Sequence, residues 1–265
     1  MTSSTKSDGF KAAVELVSLA SQSICGHDNV ICISQSVANE LRAFLADTPL
    51  PAGPMPHIDW FHLGADLETA TTKVPHLREP ASSQTFRVQG TTFLMVGTVE
   101  PRKGHSFALD AFEHFWAEGG KAVLVIAGKQ GWMVEALSRR LRQHPEYGKR
   151  LIWLESVTDA HLHELYTTCT GLIAASEGEG FGLPLIEASR HDLPILARDI
   201  PVFRELAGGY ATFFDGADPQ NLTVVLHDWI VAQAAGTIPR SGKMPFLTWQ
   251  QSAAMLLERL AIRSA

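Results

Sequence analysis

Residues 171–188, GLIAASEGEGFGLPLIEA, constrain the fold more than any other stretch of the chain. The run opens on small and branched apolar side chains, which predicts a buried strand. Three glycines, Gly178, Gly180 and Gly182, make the turn that follows. Leu183-Pro184 then opens a helix, because a proline's missing N–H has no intrahelical partner in the first turn. Glycine lets the backbone approach a ligand closely, and a new helix presents free N–H groups and the positive end of its dipole. The turn suits a phosphate or a sugar hydroxyl. Glu179 stands before the helix start and Glu187 about one turn inside it.

Other glycine-rich turns do not fit. From Gly178, a G-x-G-x-x-G fingerprint fails at its third glycine, where Leu183 stands, and no acidic ribose ligand follows at the usual distance. A G-x-x-x-x-G-K-[ST] loop is also missing. Taken alone, the stretch is equally a tight turn with two solvated glutamates.

A chain of 265 residues forms one large or two small domains. Its net charge of −6 carries no footprint for non-specific nucleic-acid binding. Cys25, Cys32 and Cys169 form no C-x-x-C pair and no even framework, which predicts free thiols in a reducing compartment. No apolar run reaches membrane-spanning length, and the polar MTSSTKSDGF start has no signal-peptide core. The expectation is a soluble cytoplasmic protein, peripheral at most to the inner membrane.

Along the chain, residues 10–24 have helical apolar spacing at Ala13, Leu16, Val17 and Ala20. VICIS (30–34) reads as a buried strand, and Ser34-Gln35-Ser36 leads into a helix to about Leu45 with a hydroxyl available to cap it. A proline-rich connector over 48–56 precedes HIDWFHLGADLE (57–68), a short strand ending at Gly64. This is a βαβ step of a Rossmann-like domain. Residues 69–90 read as a linker, so the division is 1–68, a linker, and 91–265, with the last helix either crossing back to the first domain or packing on its own.

TTFLMVG (91–97) reads as the first strand of the second domain, followed by a loop to Gly104 and a helix from His105 to about Glu118. Arg102 and Lys103 in that loop suit a diphosphate, one as a planar fork and one as a point charge; the plain alternative is two solvated loop cations. KAVLVIAG (121–128) is the next strand, and 133–143 a helix with Val134, Leu137 and Leu141 on one face. Trp132, just before that helix, reads as a packing anchor rather than a base-stacking ring. LIWL (151–154) is a strand, and Thr158-Asp159 caps a helix to about Thr168. His161 and His163, two apart on that helix, point in different directions and read as solvated surface residues, so no protein-bound metal is expected. PILA (194–197), a short helix after 198–205, a strand over 211–214 and a helix from Pro219 to about Ala234 complete the alternation. A final helix opens at Thr248-Trp249-Gln250 with Ala253, Leu256, Leu257 and Leu260 as its apolar face. Strand–helix alternation predicts a parallel sheet covered on both faces.

Ser176-x-x-Glu179-Gly180-Phe181-Gly182-Leu183-Pro184-x-x-Glu187 closely resembles the E-x7-E signature of retaining GT-B glycosyltransferases of family 4. VGTVEPRKG resembles the same family's VG-x-x-x-x-R-K loop, although Thr98 stands where many members carry an arginine. The resemblance covers residues 91–262 as a donor-binding domain. It implies an α/β, Rossmann-like doubly wound parallel sheet, with a truncated portion of the N-terminal GT-B domain before it. The implied activity is transfer of a hexose, with mannose from GDP-mannose the first to try, from a nucleotide-diphosphate sugar to a glycan or lipid-linked acceptor, with retention. The implied catalytic set is Glu179, at the donor sugar, with Arg102 and Lys103 on the departing diphosphate. The implied binding set is Glu187 at the ribose hydroxyls, Gly180, Phe181, Gly182 and Leu183 through their backbone, Gly97 and Thr98, and Gly128, Lys129 and Val157 near the nucleobase. No cofactor or metal is implied. The short N-terminal region implies a first domain supplied by another chain, or else a non-catalytic nucleotide-sugar-binding module. An epimerase on the same scaffold ranks last.

Overall fold

The computed structural model describes residues 29–47, 55–66 and 90–261. The helix predicted over 10–24, Cys25, most of the 48–56 connector and all but Gly90 of the 69–90 linker lie outside the described residues. Two compact units divide the chain: Met1–Gly64 with Leu247–Ala265, and Ala65–Phe246.

In the first unit, β1 (Asn29–Cys32) pairs in parallel with β2 (His57–Trp60). Helix α1 (Gln35–Asp47) connects them, and the Ser34 hydroxyl accepts from Val37 N–H at 3.2 Å, the cap its position predicts. Cys32, Ala38, Leu45 and Ile58 form its small core. β2 stops at Trp60, short of the expected Gly64, because β1 ends at Cys32: its carbonyl takes the last ladder bond, from Phe61 N–H. The final helix, α8 (Trp249–Ala261), packs against β2 but not through its expected apolar face. Leu257 is 65% exposed and Leu260 49%. The buried side carries Ser252, whose hydroxyl donates to the His62 carbonyl at 2.7 Å, and Arg259, 3.6 Å from the Asp59 carboxylate. Polar anchors seat this helix, and apolar periodicity does not register them.

The second unit holds a six-stranded parallel sheet in the order β5-β4-β3-β6-β7-β8. Its strands are β3 (Thr92–Val96), β4 (Val123–Ala127), β5 (Leu151–Leu154), β6 (Gly171–Ala174), β7 (Ile195–Arg198) and β8 (Ala211–Phe214). The helices between them are α2 (His105–Ala117), α3 (Glu135–Gln143), α4 (Asp159–Thr168), α5 (Leu183–Arg190) and α6 (Pro201–Ala207), with α7 (Pro219–Ala234) after β8. This is the doubly wound sheet the alternation predicts. Its inner strands are buried along almost their whole length, which is why they read as continuous apolar runs. Helix α2 buries Ala108, Leu109, Ala111, Phe112, Phe115 and Trp116, the spacing of one helical stripe. It packs on α7, where the Thr223 hydroxyl donates to the Ala111 carbonyl at 2.9 Å. Helix α3 starts two residues later than predicted: Met133 has φ +54°, a left-handed conformation that no helical turn accommodates.

Candidate functional site

The strand order reverses direction between β3 and β6, and ligands of doubly wound sheets sit outside the carboxyl ends of the strands at such a point. Two loops leave the sheet there: 97–104 after β3 and 175–182 after β6. Gly104 (φ +70°) lets them meet, since a Cβ on it would lie 2.1 Å from the Ala175 carbonyl oxygen. Glu177 N–H then donates to the Arg102 carbonyl at 2.8 Å and clips one loop to the other.

The two loops converge on one carboxylate. Glu179 accepts from Lys103 Nζ, from Arg102 Nη1 at 2.9 Å and from Ser176 Oγ at 2.8 Å. Burial alone raises a carboxyl pKa, but the Lys103, Ser176 and Arg102 contacts together outweigh it and hold Glu179 below its ordinary value. Arg102 also reaches Glu100 at 2.8 Å, and the second Glu100 oxygen accepts from Trp132 Nε1 at 3.0 Å. Two cations and two carboxylates thus form one neutral cluster. A dianion entering here would have to compete with those carboxylates for both cations. Beneath the cluster His105, 2% exposed, lines a small cavity with Lys103, Ser176, Glu179 and Gly182. Neither of its ring nitrogens has a hydrogen-bond partner among the described residues. Burial first, and the Lys103 charge second, push its pKa down to about 4, so the ring is neutral.

The expected residues fall into several places. Glu179, Arg102 and Lys103 touch one another. Gly180, Phe181, Gly182 and Leu183 lie on the turn into α5; Gly182, at φ +106°, precedes the helix without a side-chain cap. Glu187 sits a turn along α5 and bonds with none of that cluster: Tyr166 Oη donates to its Oε2 at 2.5 Å. Gly97 and Gly128 lie back to back at the ends of β3 and β4, where a Cβ on Gly128 would come within 1.9 Å of the Gly97 oxygen. Thr98 packs beside Gly131, and Lys129 accepts from Val99 N–H through its carbonyl at 2.9 Å. Val157 follows the edge strand β5, two strands out from β3.

One expectation needs correction. Trp132 is no packing anchor: it is 58% exposed, and the neighbouring Val134, 4% exposed, packs instead. Gly131 presses flat against the β3 loop, its N–H bonded to the Val99 carbonyl at 2.9 Å, and turns residue 132 outward. His163 is exposed, as expected, and its ring meets that of His191 edge-on at 4.7 Å. Among the described residues no group of three His, Cys, Asp or Glu could hold a metal ion.

A family model described as "Glycosyl transferases group 1" matches residues 79–231. The chain belongs to that family. It is 44% identical over 240 residues to "Serotype-specific mannosyltransferase WbdA" of Escherichia coli, a match covering 89% of this chain and 29% of that protein. It is 28% identical over 130 residues to "O-antigen chain mannosyltransferase RfbU" of Salmonella typhimurium, covering 49% of this chain and 35% of that one. The chain therefore spans about a third or less of the length of these relatives. Among solved structures, HepE of Anabaena, in complex with UDP and glucose, superposes with a TM-score of 0.71 at 17% identity, over 93% of this chain and 66% of that one. Sucrose-phosphate synthase of Thermosynechococcus elongatus gives 0.70 at 18% identity, over 94% and 62%. The fold is that of GT-B glycosyltransferases. Among the described residues no helix is long and apolar enough to cross a membrane.

Glu100, Tyr166 and His105 complete this environment without having been expected in it. Only Glu100, three residues ahead of Lys103 in a turn-forming stretch, carried a local signal.

Proposed function

We propose that the second unit binds a nucleotide-diphosphate hexose and supports its transfer, with retention, to a glycan or lipid-linked acceptor. GDP-mannose is the first donor to test, in keeping with the mannosyltransferases to which the chain is similar. One observation carries the reading: Arg102 and Lys103, from one loop, meet Glu179, from the other, at the switch point of the sheet. In this reading the donor diphosphate replaces Glu179 as partner of the two cations. Arg102 offers a planar fork and Lys103 a point charge. As the bond from the anomeric carbon to the diphosphate oxygen breaks, the negative charge gathering on the leaving group meets them in place. Glu179, released, accepts from hydroxyls of the hexose. Backbone N–H groups at the start of α5 add the positive end of the helix. Glu187 takes the ribose hydroxyls, and the Gly128–Lys129 and Val157 loops border the base. The reading invokes no cofactor and no protein-bound metal, and it leaves the acceptor to elements outside this unit, in the same chain or a partner.

Calorimetric titration of the whole chain with GDP, UDP, ADP and GDP-mannose tests it. One diphosphate is expected to bind selectively, and Lys103→Ala to weaken it about 10- to 100-fold, the worth of one charge-assisted contact. Glu179→Ala is expected to abolish transfer and the extra affinity of the sugar conjugate while the bare diphosphate still binds. Binding of no nucleotide, or an affinity unchanged in Lys103→Ala, overturns the reading.

A further inference from the structure

Glu187 lies in the middle of α5, and Tyr166 reaches it from α4, 21 residues back along the chain. The tyrosine is 3% exposed, and its hydroxyl donates to Glu187 Oε2 at 2.5 Å. Burial first, then the Glu187 charge, raise the phenol pKa, so the group remains a donor at any pH the protein meets. Its ring is itself held. His191 stacks on it at 5.5 Å with the planes 11° apart, and His163 closes edge-on against His191 at 4.7 Å. Among the described residues no other side chain bonds the Glu187 carboxylate.

The terminal torsion of a glutamate is broad and roughly two-fold, so a half-buried carboxylate free of partners samples many orientations. A fixed donor on one oxygen removes that freedom. A carboxylate has about four acceptor positions, and Tyr166 occupies one, leaving three. Two vicinal hydroxyls need two of these, in one plane. Tyr166, its ring stacked on His191, thus narrows the orientations of the carboxylate before any ligand arrives, and the ordering cost at binding falls accordingly.

We infer that Tyr166 is a positioning residue for the ribose of the donor: its hydroxyl fixes the Glu187 carboxylate so that the site distinguishes a ribose from a deoxyribose diphosphate. This rests on the reading that Glu187 faces the ribose. Tyr166 acts through Glu187 and touches no reacting atom.

Calorimetry of the full chain with GDP and 2′-deoxy-GDP tests the inference, with UDP and its deoxy form replacing them if UDP is the diphosphate that binds. The wild type is expected to favour the ribose form about tenfold, the worth of one hydrogen bond to a charged group. Tyr166→Phe keeps the ring and its stack, and is expected to reduce that preference to about twofold. Affinity for the deoxy form should fall less than that for the ribose form, because only its 3′-hydroxyl faces Glu187 and the diphosphate contacts are untouched. A purely structural tie between α4 and α5 would lower both affinities together and leave their ratio intact. Should Tyr166→Phe fail to fold, Tyr166→Met removes the same hydroxyl, leaves an apolar side chain in the buried position and Glu187 unaltered, and serves the same comparison. If Glu187→Ala erases the preference and Tyr166→Phe leaves it at tenfold, the inference is overturned and the donor reading stands. If wild type shows no preference, or Glu187→Ala does not change it, the ribose assignment of Glu187 fails and the inference fails with it.

Discussion

His105 illustrates how one residue couples the site to the stability of the protein. Its ring is buried and neutral, with a pKa near 4 against an ordinary 6.5. Between those values the unfolded chain binds a proton that the folded chain does not. Stability is therefore full above pH 6.5 and declines as the pH falls toward 4. At 1.36 kcal/mol per unit, the decline attributable to His105 approaches about 3 kcal/mol. His191 adds to it in the same direction, lowered first by its own burial and then by His163 and Arg190. Urea unfolding at pH 7 and pH 5 is expected to show the loss in wild type and a smaller one in His105→Leu; an equal loss in both would place the pH dependence elsewhere. Glu179 is a second case. Its position in the motif was legible, but its partners were not, because Arg102 and Lys103 lie 77 and 76 residues away and only the adjacency of β3 and β6 brings them to it.

At the scale of elements, two parallel strands and their loops build the site, and Gly104 sets how closely those loops approach. Gly104→Ala is expected to cost about 1–3 kcal/mol from the left-handed backbone alone, and more from the contact with the Ala175 carbonyl. Gly119 provides the comparison: it has φ +92° and nothing within 4 Å of a Cβ. The difference in urea midpoint between Gly104→Ala and Gly119→Ala therefore isolates the loop-to-loop contact, and equal midpoints would show that it carries no strain. Strands and helices themselves were read well from local pattern. Element ends moved where a local conformation intervened, as Met133 does before α3, or where a partner strand ran out, as β1 does for β2. The face of α8 was misread for a different reason. Ser252 and Arg259 seat it on the His62 carbonyl and on Asp59, contacts that no hydropathy pattern anticipates.

At the scale of the molecule, the core of the second unit runs from α2 through the sheet, with Phe93 in contact with both Phe112 and Trp229. Phe112 is fully buried, and its truncation to alanine is expected to cost about 3–5 kcal/mol, a large part of the 5–15 kcal/mol typical of a domain. Urea unfolding followed by the fluorescence of the buried Trp116, Trp153 and Trp229 reads it, and a loss below about 1 kcal/mol would show that the core closes around the cavity. The sequence by itself determined the doubly wound class and the alternation of its elements. It determined as well that a glycine turn opening a helix at Leu183-Pro184 would carry two glutamates eight residues apart. Those properties follow from backbone conformation and side-chain period, which act over a few residues. Tertiary structure alone decided that Glu179 pairs with two cations, that Trp132 faces outward, and that Tyr166 holds Glu187. Each depends on which strands become neighbours, and that choice is made by burying the whole sheet at once.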